Sequence, residues 1–344
     1  MHVAVDLACV QAQLGHAVMV AADGGDYLEL MMSYGVTCET LVQRQTNLLK
    51  LSASVARLIK ICRSFKPNVI HAHMMAGAVF GKTASMLFRI PLVTTVHNSF
   101  DRHSFLMRLG DKVVAVSNAE RALLIERGYN PKKVEVVLNG PNGSPREGRF
   151  EKIDSKVLDG IRAPFITTVC GLHRRKGVQD LIAGFAEIAS LYPAWKLYVV
   201  GDGPDRQALI ELSKSLNIAD QVIFLGYVKN PHEILSKADI FVLASYAEPF
   251  GLATAEAREA GCAIVATSVG GTPELLDFGK AGLLVKPESP KEIAAALSKL
   301  MSDPVALQAF RASSKSGSEY YRVGRVVEDY AKVYASLLPG ANSP

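Results

Sequence analysis

The sequence predicts an α/β protein built from two doubly wound parallel-sheet domains, and three observations support this. Strand-like apolar runs alternate with helix-like stretches along the chain, the pattern parallel sheets need if helices are to cover both faces. A length of 344 residues exceeds what one ordinary hydrophobic core serves. Near the middle, Asn139-Gly-Pro-Asn-Gly-Ser-Pro-Arg-Glu-Gly148 sets three glycines and two prolines in ten residues, which is the composition of a linker. The expected division is a first domain over 1–150, a second over 151–318 and a terminal helical segment over 319–344.

The element signals follow in order. Short apolar, β-branched runs at 17–21, 69–73, 92–97, 112–116 and 134–138 read as strands of the first half. Runs at 165–170, 196–201, 221–225, 239–244, 263–267 and 282–285 do so in the second. Between the first two strands of the first half, Leu51, Val55, Leu58, Cys62 and Phe65 recur at helical spacing, with Arg57, Lys60 and Arg63 off that face. The last helix is expected over 319–337.

Composition sets bounds. About half of the residues are apolar and a fifth charged, as in soluble globular proteins. No apolar run reaches the ~18 residues of a membrane span, and the apolar N-terminus, broken by Gln11, Gln13 and His16, lacks the basic start of a signal peptide. Cys9, Cys38, Cys62, Cys170 and Cys262 lie singly, which fits reduced thiols and a cytoplasmic location and argues against a disulfide framework or a zinc site. Charge is uneven: residues 1–150 hold 17 Lys and Arg against 11 Asp and Glu, leaving 21 against 22 for the remainder of totals of 38 and 33. Five of these cations fall between Lys50 and Lys66 with no acid among them. That face is either solvated or meets anionic lipid, which would place the protein peripherally on a membrane, or an anionic acceptor. No nucleic-acid partner is expected.

The most informative segment is Glu248-Pro-Phe-Gly-Leu-Ala-Thr-Ala-Glu256, just after the apolar strand that ends at Ala244. A helix is expected over 250–260, with Pro249 at a position helices accept. The first amides, those of Phe250, Gly251 and Leu252, would then face outward at the positive end of the helix dipole, a suitable place for a diphosphate. Glu248 and Glu256 would lie on the order of 10 Å apart at a rise of ~1.5 Å per residue. This suits a nucleotide sugar, one carboxylate meeting sugar hydroxyls and the other the ribose diol. The plain alternative is a capping Glu248 and a solvated Glu256.

Further motifs stand in register: Cys170-Gly-Leu-His-Arg-Arg-Lys176-Gly177, Gly201-Asp-Gly-Pro204, Phe224-Leu-Gly-Tyr227 and Gly270-Gly-Thr-Pro-Glu274, preceded in the first half by Val93-Thr-Thr-Val-His97, Ala115-Val-Ser-Asn118 and Val137-Leu-Asn-Gly140. With the Glu248–Glu256 segment they resemble the retaining glycosyltransferases of family 4 over nearly the whole chain. The resemblance implies the GT-B architecture, two Rossmann-like domains facing across a cleft, with the last helix crossing back to the first domain. It implies transfer of a hexosyl group from a nucleoside-diphosphate sugar, UDP- or GDP-linked, to a glycan, lipid-linked or small-molecule acceptor, with retention. No protein nucleophile, resident cofactor or metal is implied.

By the same resemblance, Lys176 matches the family's diphosphate lysine, Glu248 its sugar carboxylate and His97 its active-site histidine. The family's partnering arginine is not at its usual place, because position 171 is glycine; Arg174 or Arg175 on the same turn is the expected substitute. Gly270 and Gly271 either let amides approach the donor or shape a plain turn. His71 and His73 share one strand face and are expected to line the cleft rather than hold a metal, for want of a third ligand. One departure is expected to matter: Gly15-His-Ala-Val18 matches the family's second strand, so the first strand and its glycine turn would be missing and neighbouring edges unpaired. A sugar-nucleotide epimerase or hydrolase and a non-catalytic nucleotide-sugar-binding remnant are the competing functions. A nicotinamide dehydrogenase is disfavoured because no strand is followed by G-x-G-x-x-G.

Overall fold

The computed structural model describes residues 2–43, 48–147, 160–161 and 163–338. The chain forms two compact units, Met1–Arg146 with Tyr321–Pro344, and Glu147–Tyr320. The boundary expected between 150 and 151 lies outside the described residues.

The second unit is a six-stranded parallel sheet of β7 (Phe165–Val169), β8 (Lys196–Val200), β9 (Val222–Gly226), β10 (Ile240–Leu243), β11 (Ala263–Thr267) and β12 (Leu283–Val285), in the order β12-β11-β10-β7-β8-β9. Side chains on β10 alternate between two cores. Ile240, Val242 and Ala244 pack with Leu181, Phe185 and Leu297 of the helices Val178–Ile188 and Pro290–Ser302. Phe241 and Leu243 pack on the other face with Ile234, Leu235 and Ala257. A strand buried on both faces reads as an unbroken apolar run, which is why this one was visible in the sequence. The winding reverses between β7 and β10: the chain steps outward through β8 and β9, then returns to place β10 on the other side of β7. At such a switch point the loops leaving neighbouring strands diverge and open a crevice at the carboxyl ends.

In the first unit, β3 (Ile70–Ala72), β4 (Leu92–Val96), β5 (Lys112–Ala115) and β6 (Val134–Val136) form a parallel sheet in sequence order. The helix Val323–Ala335 covers one face: its Val323, Val326, Val327 and Tyr330 share a core with Val93, Val114 and with Leu7 of the helix His2–Gln13. Helix Met75–Phe88 lies on the other face, with Ala78 packed against Leu92 and Val96. A separate parallel pair consists of β1 (Met19–Ala22) and β2 (Thr37–Thr40). No run of apolar residues announces β2, whose residues are all polar or only partly buried. The eleven strands that were expected are present within two residues of their predicted ends. Helix Leu48–Phe65 buries Leu58 and Cys62 against Leu41, Phe80 and Ala84 and leaves Arg57, Lys60 and Arg63 exposed.

Candidate active site

The switch point of the second unit brings together the two residues the sequence set highest. Lys176 sits on a 3₁₀ turn, Arg174–Lys176, in the segment leaving β7, and Glu248 follows β10, the strand paired to β7. Lys176 Nζ lies 2.5 Å from Glu248 Oε2. Ser245 Oγ approaches the same carboxylate oxygen at 3.4 Å. Both side chains are largely enclosed, 18% and 11% exposed. A pair so placed presents a fixed ammonium and a fixed carboxylate side by side, one suited to phosphate oxygens and the other to hydroxyl groups.

Two glycines set this geometry. Gly177 has φ +64°, and a Cβ there would drive into the carbonyl oxygen of Ala244, at the end of β10. Gly270 has φ +52°, and a Cβ there would meet the backbone carbonyl of Glu248. The same carbonyl accepts a hydrogen bond from the amide of Gly271 at 3.1 Å. The turn after β11 thus clasps the backbone that bears Glu248. The Arg174–Lys176 turn is fastened likewise, since the amide of Tyr246 donates to the carbonyl of Arg175 at 2.8 Å.

One expectation needs correction. The helix after Glu248 runs from Leu252 to Ala260, not from Phe250, because Gly251 takes φ +100° and acts as its N-cap. Phe250 and Gly251 therefore precede the helix, and Phe250 points its ring into the core at 3% exposure. The first-turn amides belong to Leu252 and Ala253, which have no acceptor within the helix, and Glu256 lies about one turn further in, partly exposed. Arg175 Nη1 donates to the carbonyl of Ala247 at 3.0 Å and so braces the Glu248 loop. Arg174 is exposed. A signal missed in the sequence is His173, whose ring lies over Gly171, about 3.3 Å from where a Cβ at 171 would stand. Asp202 stays within its turn, accepting from the amide of Gly203 at 2.7 Å.

In the first unit, His97 stands one residue beyond β4 and His73 one beyond β3. His73 Nδ1 lies 2.9 Å from His97 Nε2. His71 and His73 do share a face, with ring centroids 4.0 Å apart. All three rings keep some contact with solvent, yet the protein packed round them removes most of the water that would stabilise an imidazolium. Desolvation pushes His71 and His97 down to about 3 and lowers His73 well below the usual value. They are neutral at physiological pH. Among the described residues no group of three or more His, Cys, Asp or Glu could hold a metal ion.

Two doubly wound Rossmann-like units in one chain, one with a paired lysine and carboxylate at its switch point, define a GT-B glycosyltransferase. Residues 150–317 match the family described as glycosyl transferases group 1, and residues 2–142 match glycosyltransferase family 4. The chain belongs to the family 4-like glycosyltransferases. It is 28% identical over 306 residues to the N-acetyl-alpha-D-glucosaminyl L-malate synthase of Bacillus anthracis, covering 83% of this chain and 79% of that one. It is 26% identical over 311 residues to a glycogen synthase of Mycobacterium tuberculosis, covering 82% and 72%. Its fold is similar to that of Anabaena HepE in complex with UDP-glucose, with a TM-score of 0.81 at 21% identity over 97% and 95% of the two chains. It is also similar to a glycosyltransferase from Rickettsia africae, with a TM-score of 0.83 at 18% identity over 98% and 94%.

Proposed function

We propose that this protein transfers a hexosyl group from a nucleoside-diphosphate sugar, UDP- or GDP-linked, to a glycan, lipid-linked or small-molecule acceptor with retention at the anomeric carbon. The observation that carries the reading is the Lys176–Glu248 pair at the β7/β10 switch point, four residues ahead of a helix N-terminus. In this scheme Lys176, the exposed Arg174 and the amides of Leu252 and Ala253 take the charge of the departing diphosphate. Glu248, released from Lys176 as phosphate oxygens replace it, accepts from hydroxyls of the sugar. Glu256 holds the ribose diol, and His97 serves as the active-site histidine. The acceptor hydroxyl passes its proton to a leaving phosphate oxygen, so no protein nucleophile and no metal is needed. That HepE is described with UDP and with UDP-glucose supports the donor class.

Thermal melting against UDP-glucose, GDP-mannose, UDP and GDP tests this. One of the sugar nucleotides should raise the melting point, since ligand at a hundred times its Kd adds about 2.7 kcal/mol to the folded state. No shift with any of the four would remove the proposed donor class.

The reading extends to a cytoplasmic protein that docks peripherally on anionic membrane through Arg57, Lys60 and Arg63, all exposed on helix Leu48–Phe65. No helix among the described residues is long and apolar enough to cross a membrane. Cosedimentation with phosphatidylserine vesicles should be strong at low salt and fall steeply toward 1 M, where the screening length is ~3 Å. Binding unchanged by salt, or by Arg57→Glu with Lys60→Glu, would leave this face merely solvated.

A further inference from the structure

His71, His73 and His97 of the first unit form an ordered stack, of which the donor scheme uses only His97. His71 is fully engaged: Nδ1 lies 2.7 Å from Tyr334 Oη and Nε2 2.7 Å from Thr95 Oγ1, which in turn lies 2.9 Å from Tyr330 Oη. Both tyrosines come from helix Val323–Ala335, and Tyr330 is completely buried. His73 rests on this fixed ring and reaches sideways to His97, their planes only 14° apart. A ring supported from below and bonded at its edge has little rotational freedom, so His73 offers His97 a partner of fixed direction.

Two neutral imidazoles that share one hydrogen bond must divide the roles. One nitrogen carries the proton and the other is bare, and that single choice fixes the tautomers of both rings. If His97 Nε2–H donates to His73 Nδ1, both rings are in the Nε2–H form that free imidazole side chains prefer. The reverse arrangement forces both into the less favoured Nδ1–H form. The first arrangement leaves His97 Nδ1 as a bare acceptor. Among the described residues no hydrogen-bond partner for His97 Nδ1 is seen within the protein.

We propose that His73 is a positioning residue for His97: by accepting the Nε2–H of His97 it holds that ring in the tautomer whose bare Nδ1 is free to accept a hydrogen bond from a substrate hydroxyl. The ligand half of this statement rests on the donor reading above; the tautomer half does not.

The test separates the two. In ¹⁵N-histidine-labelled protein, His97 should show one Nε2–H tautomer that does not titrate between pH 5 and 8. In His73→Leu it should average between the two tautomers and stay neutral over this range, because the desolvation that disfavours its imidazolium remains. His73→Asn, whose side-chain oxygen stands where Nδ1 stood, should restore the single tautomer. An Nδ1–H form of His97 in the wild type, or a His97 spectrum untouched by His73→Leu in folded protein, would overturn the pairing. With UDP-glucose as the probe, hydrolysis should lose about tenfold in kcat in His73→Leu with KM changed less than about twofold, and His73→Asn should recover most of it. A loss confined to KM, or none, would overturn the role toward substrate. Wild-type protein that neither binds nor turns over UDP-glucose would count against the donor and leave the spectroscopic result to decide the pairing.

Discussion

Glu248→Gln is expected to lower kcat/KM for transfer by about 100-fold or more, and Lys176→Met by a similar factor, because each removes a positioned charge from the group meant to meet the donor. The two losses should not add. With Nζ and Oε2 2.5 Å apart and both side chains enclosed, each residue fixes the other, so the double variant should be little worse than either single one. The folded state should respond differently. Lys176→Met leaves a carboxylate enclosed without its cation and should lower the melting point of the donor unit, whereas Glu248→Gln keeps an acceptor for the lysine and should melt closer to wild type. Glu256→Ala should raise donor KM more than it lowers kcat, since a ribose contact is the same in ground and transition states. Activity near wild type in either Glu248→Gln or Lys176→Met would remove the assignment of this site.

The contrast between what the sequence disclosed and what it did not follows from the range of each interaction. Strands such as β10 and β11 are apolar on both faces and announce themselves in a few consecutive residues. β2, with Thr37, Glu39 and Thr40 among its four residues, lies at the edge of a two-stranded pair and has no such run. The motif residues Lys176 and Glu248 could be picked from local pattern and family resemblance. Their contact, however, depends on β10 returning beside β7, which is a property of the winding. The helix start was misplaced because only the positive φ of Gly251 delays it, and a proline at 249 is equally at home in a first turn or just before one. The bond by which Arg175 braces the Glu248 loop ends on the carbonyl of Ala247, 72 residues away in the chain, so no local pattern announces it. The His73–His97 bond has the same origin. The ends of β3 and β4 are legible locally, whereas the register that lets one ring reach the other is not.

The same limit hid the ion pair with the largest expected effect on stability. Asp6, on the first helix, is 2% exposed and receives Arg146 through two bonds, Nε to Oδ1 at 2.8 Å and Nη2 to Oδ2 at 3.0 Å. Ser144 Oγ donates to the same Oδ1 at 2.7 Å, and the amide of Arg146 donates to Ser144 Oγ at 3.1 Å. The cluster ties helix His2–Gln13 to the segment at which the first unit ends. Asp6→Ala would remove the buried carboxylate on which both of these guanidinium bonds end, a change that costs about 3–5 kcal/mol. For a unit of this size the expected fall in melting point is about 10 °C. The loss should be confined to the unit that holds the pair. Amides of Val93, Val114 and Val326, in the core that Leu7 shares, should exchange faster, while those of β7 to β11 keep their protection. Asp6→Asn, which retains an oxygen for Ser144 and Arg146 but not the charge, should lose about half as much. Asp6→Leu combined with Arg146→Met should recover much of the stability, because an apolar pair leaves no buried charge to satisfy. If Asp6→Ala melts like the wild type, the pair contributes nothing and the first helix is held by its apolar contacts alone.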